Sequence, residues 1–142
     1  MRTLIGILGV LLGVCGCESP THSVAIDLPL ATWDTACTIP IQNEDTTTLR
    51  DVRIFMRTNH NFNQDSLTVS IATYRPDSLR CEEDRILTFD HKRMATALQR
   101  EIVVGYRRGV VYDQRGVYRL EIKPHRAVQG IEAIGINIVK SE

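Results

Sequence analysis

From Val24 onward the chain alternates apolar and polar positions at a spacing of two. This is the period of a strand with one dry and one wet face. Val24, Ile26 and Leu28 share one parity, and Pro29 ends the run or marks an edge strand. A second run, Ala36 to Ile41, also holds a proline and also suits an edge. The cleanest signal lies over Leu49 to Thr58, where Val52, Ile54 and Met56 alternate with Arg53, Phe55 and Arg57. Leu67, Val69 and Ile71 repeat the pattern after the turn-rich Asn59–Asp65. The short loop between these two runs predicts an antiparallel hairpin. Asn43 to Thr48 and Ser78 to Asp84 read as polar loops. Further strands are predicted at Ile86–Asp90, Glu101–Tyr106, Val110–Tyr112, Gly116–Pro124 and Ile134–Val139. Only His91 to Arg100 has the composition of a helical turn, and it is short and weakly capped. About eight short strands with at most one helix predict an all-β antiparallel sandwich over residues 24–142.

The N-terminus breaks this pattern. Arg2 precedes an apolar and glycine run from Leu4 to Val14. As a helix the run would be about 16 Å long, against a bilayer core of about 30 Å. It fits a secretory signal and is too short for a membrane span. Its end, Val14-Cys15-Gly16-Cys17, resembles the lipobox of bacterial lipoproteins: a branched apolar residue three positions before a cysteine, and a small residue just before it. The resemblance implies a lipoprotein signal peptide over 1–16, cleavage before Cys17, and diacylglycerol and palmitate-type acyl groups on Cys17. Residues 17–23 then form a lipidated tether. Cys15 follows Val14, which is not small, and fits less well. Several acyl chains hold a protein at a membrane firmly, at about 0.8 kcal/mol per buried CH₂. Glu18 is not the aspartate linked in some bacteria with inner-membrane retention, which points to the outer membrane of the cell envelope.

Composition narrows the function classes. Formal charge is zero, with 17 basic and 17 acidic residues interleaved along the chain. Neither a basic tract for nucleic acid nor an acidic tail is present. After Cys17 two cysteines remain, Cys37 and Cys81. In an oxidising compartment they are candidates for a disulfide that would stabilise by about 4 kcal/mol. The alternative is two separate buried thiols.

Candidate chemistry is sparse. His22, His60, His91 and His125 lie far apart, and none has the spacing that places two imidazoles on one metal. Glu82-Glu83-Asp84 reads as a solvated loop, and the Asn/Asp clusters near residues 43 and 61 read as turns. Neither a nucleophile elbow nor a phosphate-cradling glycine loop is present. No metal, cofactor or catalytic residue is expected. Trp33 is either core packing or a carbohydrate-stacking platform. Arg107-Arg108 beside Tyr106 forms a small basic patch.

Three blocks are similar to the gliding-motility lipoprotein GldH family of the Bacteroidota. The first is Leu28-Pro29-Leu30-Ala31-Thr32-Trp33-Asp34. The second runs from Asp51 through Arg57-Thr58-Asn59-His60-Asn61-Phe62 to Pro76-Asp77. The third runs from Gly116-Val117-Tyr118 through Gly130-Ile131-Glu132-Ala133-Ile134-Gly135-Ile136. The chain departs from the family where Leu79 to Leu98 has neither Gly nor Trp. The resemblance implies a non-catalytic envelope lipoprotein whose partners are proteins of a motility or secretion-related complex. Candidate contact residues are Trp33, Asn59, Asn61, Phe62, Asn63, Tyr106, Arg107 and Arg108. A glycan-binding surface lipoprotein is the second reading, with carbohydrate as its partner.

Overall fold

A computed structural model describes residues 22–89 and 99–142. The strands are β1 (His22–Asp27), β2 (Thr32–Trp33), β3 (Cys37–Asn43), β4 (Arg50–Asn59), β5 (Ser66–Tyr74), β6 (Arg80–Thr88), β7 (Gln99–Val110), β8 (Gly116–Pro124), β9 (Val128–Gln129) and β10 (Ile131–Lys140). Two four-stranded sheets form, in the orders β1-β10-β4-β7 and β3-β8-β5-β6, with a β2-β9 ribbon beside them. Every pairing is antiparallel. Setting the ribbon aside, the chain changes sheet at each connection except the β5–β6 hairpin. This is the strand order of an eight-stranded jelly roll, a sandwich of two Greek keys.

Alternation drives the assembly. Ile134, Ile136 and Ile138 of β10 and Val52, Ile54 and Met56 of β4 are buried in one sheet. Ile39 and Ile41 of β3, Leu120 and Ile122 of β8, and Val69 and Ile71 of β5 are buried in the other. Each fully buried aliphatic side chain contributes about 1.5–3 kcal/mol relative to exposure. The prolines fall where predicted: β1, just before Pro29, and β3, with Pro40, are both edge strands.

Several sequence expectations need correction. β4 and β5 do not form a hairpin. They lie in different sheets, because the connection between them crosses the sandwich. Ser78–Asp84 is not a loop, since β6 starts at Arg80 and pairs with β5 throughout. The runs at Glu101–Tyr106 and Val110 belong to one strand, β7, which carries Gly109 at φ 64°. The helical turn expected over 91–100 lies outside the described residues, except for Gln99 and Arg100, which open β7. β1 begins at His22, two residues before the expected domain start. The signal segment and Cys17 also lie outside the described residues.

Of the two readings open for Cys37 and Cys81, a disulfide or separate thiols, the structure has the second: both thiols are free, with Cys37 buried and Cys81 exposed. Cys37 is on β3 and Cys81 on β6, the two opposite edges of one sheet. Three strand spacings of about 4.8 Å separate those edges, roughly twice the Cα separation a disulfide tolerates. Burial raises the pKa of the Cys37 thiol, and the Trp33 indole N–H beside it offsets part of the rise.

The jelly-roll order sorts the connections to two ends. At one end lie His22, the β3–β4 and β7–β8 connections, the β5–β6 hairpin and Lys140. This follows from the registers His22↔Ile138, Lys140↔Arg50, Arg50↔Val110 and Asn43↔Gly116. It is called the terminal end below. The far end gathers the β1–β3 segment, the β4–β5 loop and the β8–β10 turn. There Asn59 N–H donates to Gly130 O at 2.9 Å and Gly130 N–H to Ala31 O at 2.8 Å.

Two tests follow from this packing. A Cβ on Gly135 would lie 2.1 Å from the Val24 carbonyl oxygen on the paired edge strand, whereas one on Gly105 meets nothing within 4 Å. Gly135→Ala should therefore lower unfolding free energy in urea titration by about 3 kcal/mol, and Gly105→Ala should change it by no more than about 0.5 kcal/mol. In the folded protein a thiol reagent should modify Cys81 rapidly and Cys37 only after denaturation, and mass spectrometry should find no linked peptide pair.

Candidate functional site

The outer face of the β3-β8-β5-β6 sheet carries a trough. On β5 the outward residues Thr68, Ser70 and Ala72 are small. The neighbouring strands present longer side chains at the paired positions: Glu82 and Asp84 on β6, Glu121 and Lys123 on β8. Short side chains on a central strand between long ones leave a channel along it. Its middle section has a volume of about 360 Å³ and is lined by Ser70, Ala72, Arg80, Glu82, Lys123 and His125. A second depression of about 280 Å³ shares His125 and continues past Thr68 to Gln64 and Arg126 at the far end. At the terminal-end side, Tyr74 closes the channel. Its ring lies under the guanidinium groups of Arg119, 4.8 Å away, and Arg80, 5.6 Å away.

At the junction, Ser70, Asp84 and His125 converge, although they are scattered in sequence. Ser70 Oγ donates to Asp84 Oδ1 at 2.7 Å and lies 2.9 Å from His125 Nε2. His125 Nε2 is 3.2 Å from the same Asp84 oxygen. Hydrogen bonds from Ser70 and then His125 hold the Asp84 carboxyl below its ordinary pKa. This is not a nucleophilic relay. A relay places the acid on one ring nitrogen and the hydroxyl on the other. Here both address Nε2, and the serine proton is committed to Asp84. The cluster can offer a hydroxyl, a carboxylate and an imidazole to a polar ligand.

The expected contact residues separate. Trp33 is fully buried on β2, packed in the core, so it is not a stacking platform. Phe62 is also buried, edge-on to Phe89 at 5.5 Å. Asn59 orders the β4–β5 loop by accepting the Asn61 N–H at 2.9 Å through its side-chain oxygen, which leaves Asn61 and Asn63 exposed. Tyr106, Arg107 and Arg108 are not in a loop. They belong to β7, away from the β4–β5 loop, so no single surface joins the two groups.

Tyr106 turns inward and closes one open side of the sandwich, where the edge strands β6 and β7 face each other. Glu83 accepts from the Tyr106 hydroxyl and from Arg107. The Arg107 and Arg85 guanidinium groups lie 5.1 and 5.3 Å from the Tyr106 ring centre. Burial, and then the bond to Glu83, push the Tyr106 phenol up to about 12. The same bond lowers the Glu83 carboxyl pKa. Inward charges of this kind protect edge strands from pairing with other chains. Glu82-Glu83-Asp84, expected as a loop, is thus a strand segment with Glu83 facing in and its neighbours facing out.

Sequence reasoning missed a buried polar knot at the terminal end. Asn43 is fully buried, and its side-chain amide donates to Tyr112 O at 2.9 Å and Gln114 O at 2.7 Å. Arg50 Nη1 donates to Asn43 Oδ1 at 3.1 Å. The signal was the parity: Asn43 extends Cys37, Ile39 and Ile41, and Arg50 precedes Val52, Ile54 and Met56 on the inward side.

Among the described residues no cluster of three metal-ligating side chains occurs, and no helix is long and apolar enough to cross a membrane. Comparison with protein-family models, with curated proteins and with solved structures returns no match.

The Tyr106 geometry predicts an alkaline stability limb. A phenol whose pKa is raised by folding contributes stability that is fully present below the unfolded value of about 10 and is lost as pH passes through about 12. Urea midpoints measured across that window should fall for the parent protein. Tyr106→Phe should fall less steeply and should cost about 1–2 kcal/mol at neutral pH through the lost hydrogen bond to Glu83.

Proposed function

We propose that this chain is a lipid-anchored, non-catalytic β-sandwich that works by protein contact in a cell-envelope assembly, as its resemblance to GldH-type lipoproteins implies. The supporting observation is the closeness of anchor and body. Cys17, the acylation candidate, is five positions before His22, where β1 begins. Five residues span at most about 18 Å, so the acylated chain would keep a rigid body next to the membrane. The surface assigned to the partner is the far-end loops, where Asn61 and Asn63 are exposed, together with the trough that leads to them.

The glycan-binding reading loses its aromatic platform because Trp33 is buried. The Tyr74 ring, beside the trough, is flanked by Arg80 and Arg119 and does not replace it.

Expression in a bacterial host with labelled palmitate tests the anchor. The parent chain should take up label and sediment with membranes. Cys17→Ala should lose the label and either be released or keep its signal segment. Label on Cys17→Ala at the parent level would refute the assignment. Affinity capture of the tagged, lipidated protein should return envelope proteins that depend on Asn61 and Asn63.

A further inference from the structure

We infer that the terminal end of the sandwich is a bilayer-docking face, with Leu49, Leu79 and Val111 seated in the headgroup region. The inference rests on the lipid anchor at Cys17 and adds to it an orientation and a second membrane contact.

Three features converge on this end. The first is connection. β1 starts there, at His22, so the acyl chains would join the body at this end and no other. The second is reach. β4 has ten residues and runs the length of its sheet, about 33 Å. His22 is level with Val52 through Ile138, so if the far end touched the bilayer it would stand roughly 23 Å above it, beyond the reach of about 18 Å that five residues provide.

The third is the distribution of exposed apolar side chains. Leu49 is 52% exposed, Leu79 61% and Val111 40%, and they sit on the three separate connections of the terminal end. Leu49 and Val111 directly flank the paired residues Arg50 and Val110, so they are neighbours at the tip of one sheet. Leu79 closes the β5–β6 hairpin at the tip of the other. The loops bearing them are braced against one another: Gln114 Nε2 donates to Asp77 Oδ2 at 2.8 Å, Arg75 Nη2 to Asp113 Oδ1 at 3.1 Å, and Asn43 holds the β7–β8 connection from beneath. Apolar tips on a rigid base bury themselves at a membrane interface without an ordering cost in the loops.

Alternative faces fit less well. The outer faces of the two sheets carry scattered exposed aliphatic side chains, Ile86 and Val117 on one and Val103 on the other, each on a separate strand and not gathered at a tip. Leu30 is 96% exposed but stands at the far end. Charge plays a small part. Arg115 and Lys140 make no ion pair with a described residue, whereas Asp45, Asp77 and Asp113 are bonded within the protein. Glu44 and Glu142 are exposed acids at the same end, so the aliphatic tips, and not the charges, carry the docking.

The test uses the full lipidated chain in a Cys81→Ser background, which removes the exposed thiol. An environment-sensitive fluorophore is attached at Leu49→Cys, Leu79→Cys or Val111→Cys, and for comparison at Asn61→Cys or Leu30→Cys. The protein is incorporated into vesicles of phosphatidylethanolamine and phosphatidylglycerol, with and without spin-labelled lipid. The first three labels should shift to the blue and be quenched by the spin-labelled lipid, while the last two should behave as they do in buffer. Quenching at Asn61 or Leu30 equal to that at Leu79 overturns the orientation, as does the lack of quenching at all five sites. The mass of the N-terminal peptide reads acylation separately. An acylated Cys17 with unquenched loops refutes the docking face alone, and an unmodified Cys17 refutes anchor and docking together.

Discussion

The structure depends on two dry sheet faces meeting across one seam. Ile134, Ile136 and Ile138 on β10, at the middle of one sheet, oppose the buried aliphatic residues of β8 and β5 at the middle of the other. A shift of one residue in any pairing would turn such a row outward, because the side-chain period is two. Register is therefore fixed by burial. The connections then have only to carry the chain from one sheet to the other. That requirement separates β4 from β5, which a local reading would pair, and places β10, last in the chain, between β1 and β4.

A sandwich made this way is open at its sides and ends, and polar residues close it. Asn43 and Arg50 occupy inward positions where the aliphatic rows run out; Asn43 satisfies backbone carbonyls of the β7–β8 connection, and Arg50 donates to Asn43. An unpaired amide there would cost about 1–3 kcal/mol, and the Asn43 amide avoids that cost by donating to Tyr112 O and Gln114 O while accepting from Arg50 Nη1. Glu83 and Tyr106 do the same between the edge strands β6 and β7. On the opposite side His22 Nε2 lies 3.2 Å from Pro40 O and ties β1 to β3. Closing groups of this kind give the loops a fixed base, and the rigidity of the terminal end follows from them.

Most of the fold was legible because alternation is a local property. Val52-Ile54-Met56 and Tyr118-Leu120-Ile122 reveal their inward faces without any knowledge of partners. What was not legible is what depends on the partner. Glu83 and Arg85 break the alternation of β6, and the break makes sense only once Tyr106 and Arg107 are seen opposite. Asn43 reads as turn chemistry until its parity with Ile39 and Ile41 is followed one step further. Cys37 and Cys81 invite pairing on sequence grounds, and only the order β3-β8-β5-β6 places them at opposite edges. The Ser70–Asp84–His125 cluster draws on β5, on β6 and on the end of β8, and no sequence spacing links those three residues. For Trp33 the sequence left two readings, core packing or a sugar platform, and burial beside Cys37 selects the first.

The trough and the proposed anchor belong to one geometry. The trough follows β5, whose two ends lie at the terminal and far ends of the body. With the terminal end against the bilayer, it would run away from the membrane, from the Tyr74–Arg80–Arg119 stack near the surface to Gln64 and Arg126 at the distal rim. Its lining carries both signs of charge, Arg80 and Lys123 with Glu82 and Glu121. Under the proposed anchoring, the five-position step from Cys17 to His22 and the charged channel on the flank of the body would hold a bound partner at a set height above the membrane.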